Sequence, residues 1–132
     1  MARILVDSDV LADHLRGHQR FVAGRDEVYV STVSRAELVA GGSKDEGRIR
    51  LLLAAMTEVD VGAAIAERAG RLQRASRVRL SDALVAATAI EHGLTLVTRN
   101  GRDFDSIRGL RVRAPAGDTL PAPTRRRSPE AS

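Results

Sequence analysis

The chain has 132 residues, enough to bury the hydrophobic core of one domain unaided. It has no cysteine, which excludes a disulfide framework, a thiolate nucleophile and a cysteine-bound zinc ion. Aromatic residues form 2% of the chain, too few for a row of base-stacking platforms, and the net charge of +4 rests almost entirely on arginine. Arginine suits phosphate-bearing partners, although a compositional bias of the genome explains its abundance equally well.

Short apolar runs alternate with helical patterns through the first 113 residues. Strands are predicted at 3–6, 28–31, 58–61, 95–98 and, more weakly, 110–113. Helices are predicted at 9–16, 34–41, 45–56, 62–76 and 82–92, with Gly41 and Gly93 as left-handed stops. The alternation of nearly continuous apolar strands with helices predicts an α/β fold, a three-layer α/β/α sandwich around a parallel sheet.

The end of the chain has a different composition. Residues 114–132 contain all four prolines and a single large aliphatic residue, Leu120. A segment so poor in apolar side chains cannot offset the entropy cost of its own ordering. We therefore predict a globular domain at 1–113 and a disordered tail at 114–132. The run Arg125–Arg127 can touch nucleic acid, but a solvated tail is the simpler interpretation.

Two features predict a cytoplasmic protein without a membrane segment. The apolar run before Asp7 is too short for a secretory leader. The longest uncharged apolar stretch, 83–90, is too short to cross a bilayer.

Four acidic residues follow strands or lie near helix starts, where an α/β sheet commonly binds ligands. They are Asp7, Glu37, Asp82 and Asp103. Each also has a structural interpretation, as a helix cap, a capping-box partner or a turn residue. Ser34 gives Glu37 a capping-box partner, and Ser81 precedes Asp82 as a cap. For each residue taken alone, both interpretations stay open.

The combination of the four favours a metal site. The helix from Asp82 is apolar on every face through Ile90, so we expect it to be buried, with its first carboxylate directed at the end of the sheet. The nearest arginines, Arg77 and Arg79, are expected on a different face. Two carboxylates about 6 Å apart repel by roughly 3 kcal/mol at an effective dielectric of about 20, so such a cluster needs a cation. Oxygen ligands suit Mg²⁺ or Mn²⁺ better than zinc.

Three blocks of the sequence resemble a known family. They are "ILVDSDVLADHLRG" (4–17), "STVSRAELVAG" (31–41) and "RLSDALVAATAIEHGLTLVTRNGRDF" (79–104). Their order and separation resemble those of PIN-domain ribonucleases, and in particular the VapC-type toxins of type II toxin–antitoxin pairs. The last block is the most specific, because it combines a helix-starting aspartate with "TRN" and then "DF".

The resemblance implies a PIN-like sandwich and an endoribonuclease that depends on Mg²⁺, for which Mn²⁺ can substitute. The acidic quartet of the family matches Asp7, Glu37, Asp82 and Asp103, with Asp7, Asp82 and Asp103 as metal ligands. Thr98 and Asn100 match polar positions that brace the site. The implied mechanism is hydrolysis by metal-activated water, with the cation neutralising charge on the scissile phosphate.

The resemblance also implies partners: RNA as the substrate, a small DNA-binding antitoxin of the VapB kind, and a second copy of the chain in a homodimer. No membrane partner is expected. The three histidines, His14, His18 and His92, are expected at the surface and not in catalysis.

Asp9 departs from the family, which more often carries Ser, Thr or Asn at this position. We interpret Asp9 as a helix cap and leave it out of the ligand set. On this interpretation, Asp9→Ser keeps RNA cleavage within about tenfold of the wild type, because serine also caps helices.

Two rival functions stay open. A haloacid-dehalogenase-type phosphatase would use Asp7 as nucleophile and Asp9 as acid, but its mechanism needs a later lysine, and the chain has only Lys44. A receiver-like or other non-catalytic binding module also gathers aspartates beside a parallel sheet, but "TRNGRDF" supplies arginine where a receiver needs lysine. Calorimetric metal binding would separate a silent module from a nuclease.

Overall fold

A computed structural model describes residues 1–41 and 45–115 of the chain. The strands are β1 (Arg3–Val6), β2 (Glu27–Ser31), β3 (Thr57–Val59), β4 (Thr95–Val97) and β5 (Val112–Arg113). They form one sheet in the order β3-β2-β1-β4-β5, and every neighbouring pair is parallel. All five predicted strands are present, and the two edge strands are shorter than predicted.

In the described part of the chain, five α-helices connect the strands, close to their predicted positions. They are α1 (Ser8–Arg16), α2 (Thr32–Ala40), α3 (Glu46–Ala54), α4 (Ala63–Ser76) and α5 (Leu80–His92). A short 3-10 helix, Gly101–Phe104, follows β4. None of the helices in the described ranges has the length and apolarity needed to cross a membrane.

Both faces of the sheet are covered, because alternate side chains of a strand point to opposite faces. Ile4 and Val6 of β1 pack with Leu11 of α1 in a cluster that also includes residues of α2 and α3. Leu5, between them, packs with Val85 of α5 in a second cluster. The predicted three-layer α/β/α sandwich is therefore confirmed.

Helix α5 is buried along most of its length, as its apolar sequence predicts. Its residues Ala83 and Ala87 pack against Ala69 of α4, and all three are 0% exposed. The helix begins at Leu80, two residues earlier than predicted, with Arg79 at the N-cap. Ser81 is therefore inside the first turn, and its predicted role as the cap is wrong.

Two further predictions about helix ends are wrong at α2. The N-cap is Ser31, whose Oγ accepts a hydrogen bond from the Val33 amide at 3.1 Å, so Ser34 and Glu37 form no capping box. Gly41 has a φ of −78° and is therefore not the left-handed stop that was predicted, although its amide donates to the Leu38 carbonyl in the last turn. Gly93 after α5, at a φ of +65°, is left-handed as predicted.

The predicted tail lies outside the described residues from position 116 onward, as do Arg125–Arg127 and Lys44. The division into a domain at 1–113 and a disordered tail at 114–132 stays a prediction.

Candidate active site

Asp7 lies at the junction of β1 and α1, at the carboxyl edge of the central strand. Its amide donates to the Val97 carbonyl of β4 at 2.9 Å, which continues the sheet pairing by one residue. Its extended backbone makes it the N-cap residue of α1. The carboxylate accepts hydrogen bonds from the Ser8 amide at Oδ1 (2.8 Å) and the Thr98 hydroxyl at Oδ2 (2.9 Å). Asp7 is 8% exposed, so sheet and helix hold a carboxylate in a buried position.

Burial, together with the negative charges of Asp9 and Glu37, raises the pKa of Asp7 from its ordinary value of 3.8 to about 7. The hydrogen bonds from Thr98 and Ser8 lower it, but they offset only part of this effect. A carboxylate with such a pKa is costly to ionise in the folded protein, unless a cation approaches it.

The raised pKa predicts an unusual pH dependence of the metal-free protein. Between its ordinary pKa of 3.8 and about 7, Asp7 holds a proton in the folded state and not in the unfolded state. The free energy of unfolding therefore falls as pH rises through this window, by about 2 kcal/mol between about pH 5.5 and 7 from this group alone. Asp26 and Glu58, whose pKa values are lowered chiefly by hydrogen bonds from arginine, act in the opposite sense at lower pH.

Chemical denaturation in EDTA, repeated across this pH range, measures the effect against Asp7→Asn. The variant keeps every other titrating group, so the difference between the two pH profiles isolates Asp7. Parallel profiles would mean that Asp7 is already ionised at low pH.

Asp9 lies in the first turn of α1, but its side chain does not cap the helix. Its Oδ2 accepts hydrogen bonds from the Thr98 hydroxyl (3.1 Å), the Arg99 amide (3.0 Å) and Asn100 Nδ2 (2.9 Å). The interpretation of Asp9 as a cap is therefore wrong: this carboxylate fixes the segment that follows β4. Its other oxygen, Oδ1, is buried and accepts no hydrogen bond from any described residue.

The resemblance implies that Thr98 and Asn100 brace the site. Thr98 contacts both Asp7 and Asp9, and Asn100 contacts Asp9. Thr98 is 2% exposed, and its hydroxyl lies within hydrogen-bonding distance of both Asp7 and Asp9. The backbone N–H of Asn100 donates a hydrogen bond to the oxygen of the same hydroxyl at 3.2 Å. Since a hydroxyl has one hydrogen, Thr98 donates to one carboxylate at a time.

Glu37 approaches Asp7 from α2. It is half-buried, and its Oε1 accepts a hydrogen bond from the Ser8 hydroxyl at 2.9 Å. Ser8 thus contacts Asp7 through its amide and Glu37 through its side chain. Ser8 is not among the residues predicted from the sequence, although its place between two aspartates at a helix start is a usable signal.

Asp82 is 9% exposed and forms an ion pair that was not predicted from the sequence. Arg79, one turn earlier, places Nε at 3.2 Å from Oδ2 and Nη2 at 3.5 Å from Oδ1. The expectation that Arg79 lies on another face is wrong, because α5 begins at residue 80 and brings positions 79 and 82 together. The hydrogen bonds that Arg79 donates to Asp82 raise the pKa of Arg79, and the charges of Asp103 and Glu37 add to the effect.

Comparison with known proteins places this arrangement in a family. The sequence model of the PIN domain matches residues 4–110. The chain belongs to the PIN-domain family. It is 39% identical over 123 residues to Ribonuclease VapC10 of Mycobacterium tuberculosis, covering 82% of this chain and 90% of that protein. The chain is a VapC homologue, so the predicted family is confirmed.

Solved structures agree with this assignment. A chain of a toxin–antitoxin complex from Klebsiella pneumoniae matches with a TM-score of 0.71 and 32% identity, covering 81% of this chain and 94% of that one. A chain of VapBC2 from Rickettsia felis, bound to a DNA fragment from its promoter, has a TM-score of 0.75 at 20% identity and covers 86% of this chain and 99% of that one. The second match shows the PIN-like fold alone.

Two sets of electrostatic interactions involve the acidic residues of this site, and Glu37 takes part in both. The negative charges of Asp9 and Glu37 act on Asp7. The guanidinium of Arg79 interacts electrostatically with Asp82, Asp103 and Glu37. In residues 1–41 and 45–115, no set of three or more acidic or histidine side chains is arranged to hold a metal ion by itself. Mg²⁺ usually binds one or two carboxylates and keeps several waters, so this donor set fits it in chemistry. The buried Asp9 Oδ1 without a partner also fits a cation nearby.

A groove of about 690 Å³ lies between α1 and α2, beside Asp9 and Glu37. Asp9, Glu37 and Asn100 line it, and so do Arg16 and Arg99. It therefore combines an acidic region with two guanidinium groups that suit phosphates.

The histidines follow the expectation only in part. His18 and His92 are exposed, as expected. His14 is half-buried, and its Nδ1 accepts a hydrogen bond from the Phe21 amide at 3.0 Å. The surface position predicted for His14 is wrong, and its contact is structural because it holds the loop after α1.

Proposed function

We propose that this PIN-domain protein is a divalent-metal-dependent endoribonuclease and the toxin of a toxin–antitoxin pair, with Mg²⁺ as the cofactor and Mn²⁺ as a substitute. The observation that carries the proposal is the buried Asp7 carboxylate at the carboxyl edge of β1, with Glu37 and Asp9 beside it. The likeness to Ribonuclease VapC10 supports the activity, and the likeness to toxin–antitoxin complexes supports the biological role.

Asp7, Asp82 and Asp103 are the proposed metal ligands, and Glu37 completes the catalytic set. A bound divalent cation would supply positive charge that neutralises the scissile phosphate and acidifies water. Hydrogen bonds from Ser8 and Thr98 orient Asp7, and the Ser8 hydroxyl orients Glu37 to accept a proton from the attacking water. Asp103 is exposed, so its contribution depends on an approach of the 3-10 helix to the cation.

RNA is the proposed substrate, with its phosphates along the groove beside Arg16 and Arg99. A VapB-like antitoxin that binds DNA is the proposed inhibitor, and a homodimer is the proposed assembly. The proposed site of action is the cytoplasm.

The phosphatase alternative is weakened by the position of Asp9. A phosphatase of that kind needs this residue as a proton donor, whereas here its Oδ2 accepts three hydrogen bonds. These donors hold the oxygen on the segment that follows β4. The receiver-like alternative predicts metal binding without RNA cleavage.

The test is cleavage of a structured RNA by purified protein free of any antitoxin. We expect cutting with Mg²⁺ or Mn²⁺ and none with EDTA, because the acids alone cannot neutralise the phosphate. A generic phosphate ester is assayed in parallel. Equal cutting in EDTA would rule out the metal mechanism, and ester hydrolysis without RNA cleavage would favour the phosphatase.

A further inference from the structure

Arg79 engages a carboxylate that the proposed function assigns to the metal. Among the described residues, Asp82 is the only one of the three proposed metal ligands that forms an ion pair, and its partner is Arg79. Its guanidinium spans both carboxylate oxygens, with Nε at 3.2 Å from Oδ2 and Nη2 at 3.5 Å from Oδ1. These are the atoms that a divalent cation would use.

The two partners differ in their freedom to move. The side chain of Asp82 is 13% exposed and lies in the first turn of a buried helix, whereas that of Arg79 is 74% exposed. Arg79 is the N-cap residue of α5, but its side chain makes no capping hydrogen bond. The carboxylate is therefore held in place, and the guanidinium can leave for solvent without uncapping the helix.

The surrounding charges explain why an arginine stays at this position. Asp103 and Glu37 both act on the Arg79 guanidinium in addition to its direct partner. With no divalent cation, these acids would otherwise repel one another. The guanidinium is therefore a counter-ion, built into the chain, for the half of the acidic site that lies on α5 and the 3-10 helix.

We propose that Arg79 competes with the divalent cation for Asp82. It neutralises this carboxylate in the metal-free protein and releases at least one carboxylate oxygen when the cation binds. Breaking the ion pair then makes the free energy of metal binding less favourable. Arg79 therefore raises the metal concentration at which the nuclease becomes active. This inference rests on the proposed metal site.

The test is calorimetric titration of Mn²⁺ into the full-length, metal-stripped protein at low salt, for the wild type, Arg79→Gln and Arg77→Gln. Arg77 is an exposed arginine two residues away, and arginine and glutamine tolerate its left-handed backbone equally, so it is a matched control. We expect Arg79→Gln to bind Mn²⁺ about two- to fivefold more tightly, the effect of losing one largely exposed ion pair. Arg77→Gln should match the wild type.

A second readout separates competition from a structural role. Removal of the guanidinium should lower the melting temperature of the metal-free protein but not that of the Mn²⁺-saturated protein. The rise in melting temperature on adding Mn²⁺ should therefore be larger in Arg79→Gln than in the wild type. A merely structural contact would lower both temperatures alike. If Arg79→Gln does not fold, Arg79→Lys replaces it, because an ammonium keeps the charge but loses the fork.

The outcomes are distinct. Tighter Mn²⁺ binding by the Arg79 variant, with an unchanged Arg77 variant, supports the competition. Equal or weaker binding by the Arg79 variant overturns it and leaves the metal site intact. Absence of Mn²⁺ binding in the wild type overturns the proposed metal site itself.

Discussion

Asp7→Asn is expected to lower RNA cleavage by at least about 10²- to 10³-fold, which is typical of the loss of one group that stabilises charge in the transition state. It is also expected to raise the stability of the metal-free protein. The buried carboxylate, with its pKa near 7, is costly to ionise at about pH 8, and asparagine carries no charge. The same substitution thus removes activity and improves folding.

The hydrogen bonds around Asp7 permit this exchange. The asparagine oxygen can accept from the Ser8 amide, as Oδ1 does now. The asparagine amide can then donate to the Thr98 oxygen, whose hydroxyl hydrogen is left to serve Asp9. All the donors keep partners, so the gain from removing the charge is not cancelled by an unsatisfied group.

The measurements are initial cleavage rates at saturating Mg²⁺ and chemical denaturation in EDTA. Glu67→Gln, which removes an exposed acid from α4, is the control and should change neither. A variant that unfolds would identify Asp7 as a structural cap. A variant that is folded and still cuts RNA would show that the site lies elsewhere.

Asp82→Asn extends the same experiment with a different stability outcome. Cleavage should fall to a similar extent, but the metal-free protein should gain no stability. Asp82 already has a counter-charge in Arg79, and asparagine gives up that pair. Similar stability changes in Asp7→Asn and Asp82→Asn would mean that Arg79 does not offset the charge of Asp82.

The sequence predicts the fold well because its signals are local. Apolar runs mark the strands, and the absence of polar residues from most of α5 predicts its burial. Local signals fail where two candidates compete. Ser31 and Ser34 are both good N-caps, and only the end of β2 decides between them. Likewise, Arg79 reaches Asp82 because α5 begins two residues early, a shift that periodicity alone cannot resolve.

The role of Asp9 could not be predicted for a different reason. Its partners, Thr98 to Asn100, are about ninety residues away and meet it only because β1 and β4 are neighbours in the sheet. The alternation of strands predicts a parallel sheet, but not which strands are adjacent. The sequence therefore suggests that Asp9 caps a helix, whereas in the folded chain its carboxylate binds Arg99 and Asn100 and acts as a clamp on the segment after β4.

Asp9→Ser is accordingly expected to lower RNA cleavage by more than about tenfold, contrary to the expectation from the cap. The serine hydroxyl is too short to reach the three donors that Oδ2 now serves. The segment after β4 then loses the hydrogen bonds that Arg99 and Asn100 donate to α1, whereas the Thr98 hydroxyl can still donate to Asp7. The expected loss of stability is about 1–3 kcal/mol, reduced by the relief of repulsion between Asp7 and Asp9.

Asp9→Asn separates the hydrogen bonds of Asp9 from its charge. Asparagine keeps one oxygen for the Arg99 amide and the Asn100 side chain, but it removes the negative charge beside Asp7. If the clamp is what matters, Asp9→Asn should keep most of the cleavage that Asp9→Ser loses. Cleavage rates at saturating Mg²⁺ and unfolding free energies in EDTA for both variants decide the question. Full activity of Asp9→Ser would mean that the clamp is dispensable, and equal loss in both variants would mean that the Asp9 charge itself takes part in binding the cation.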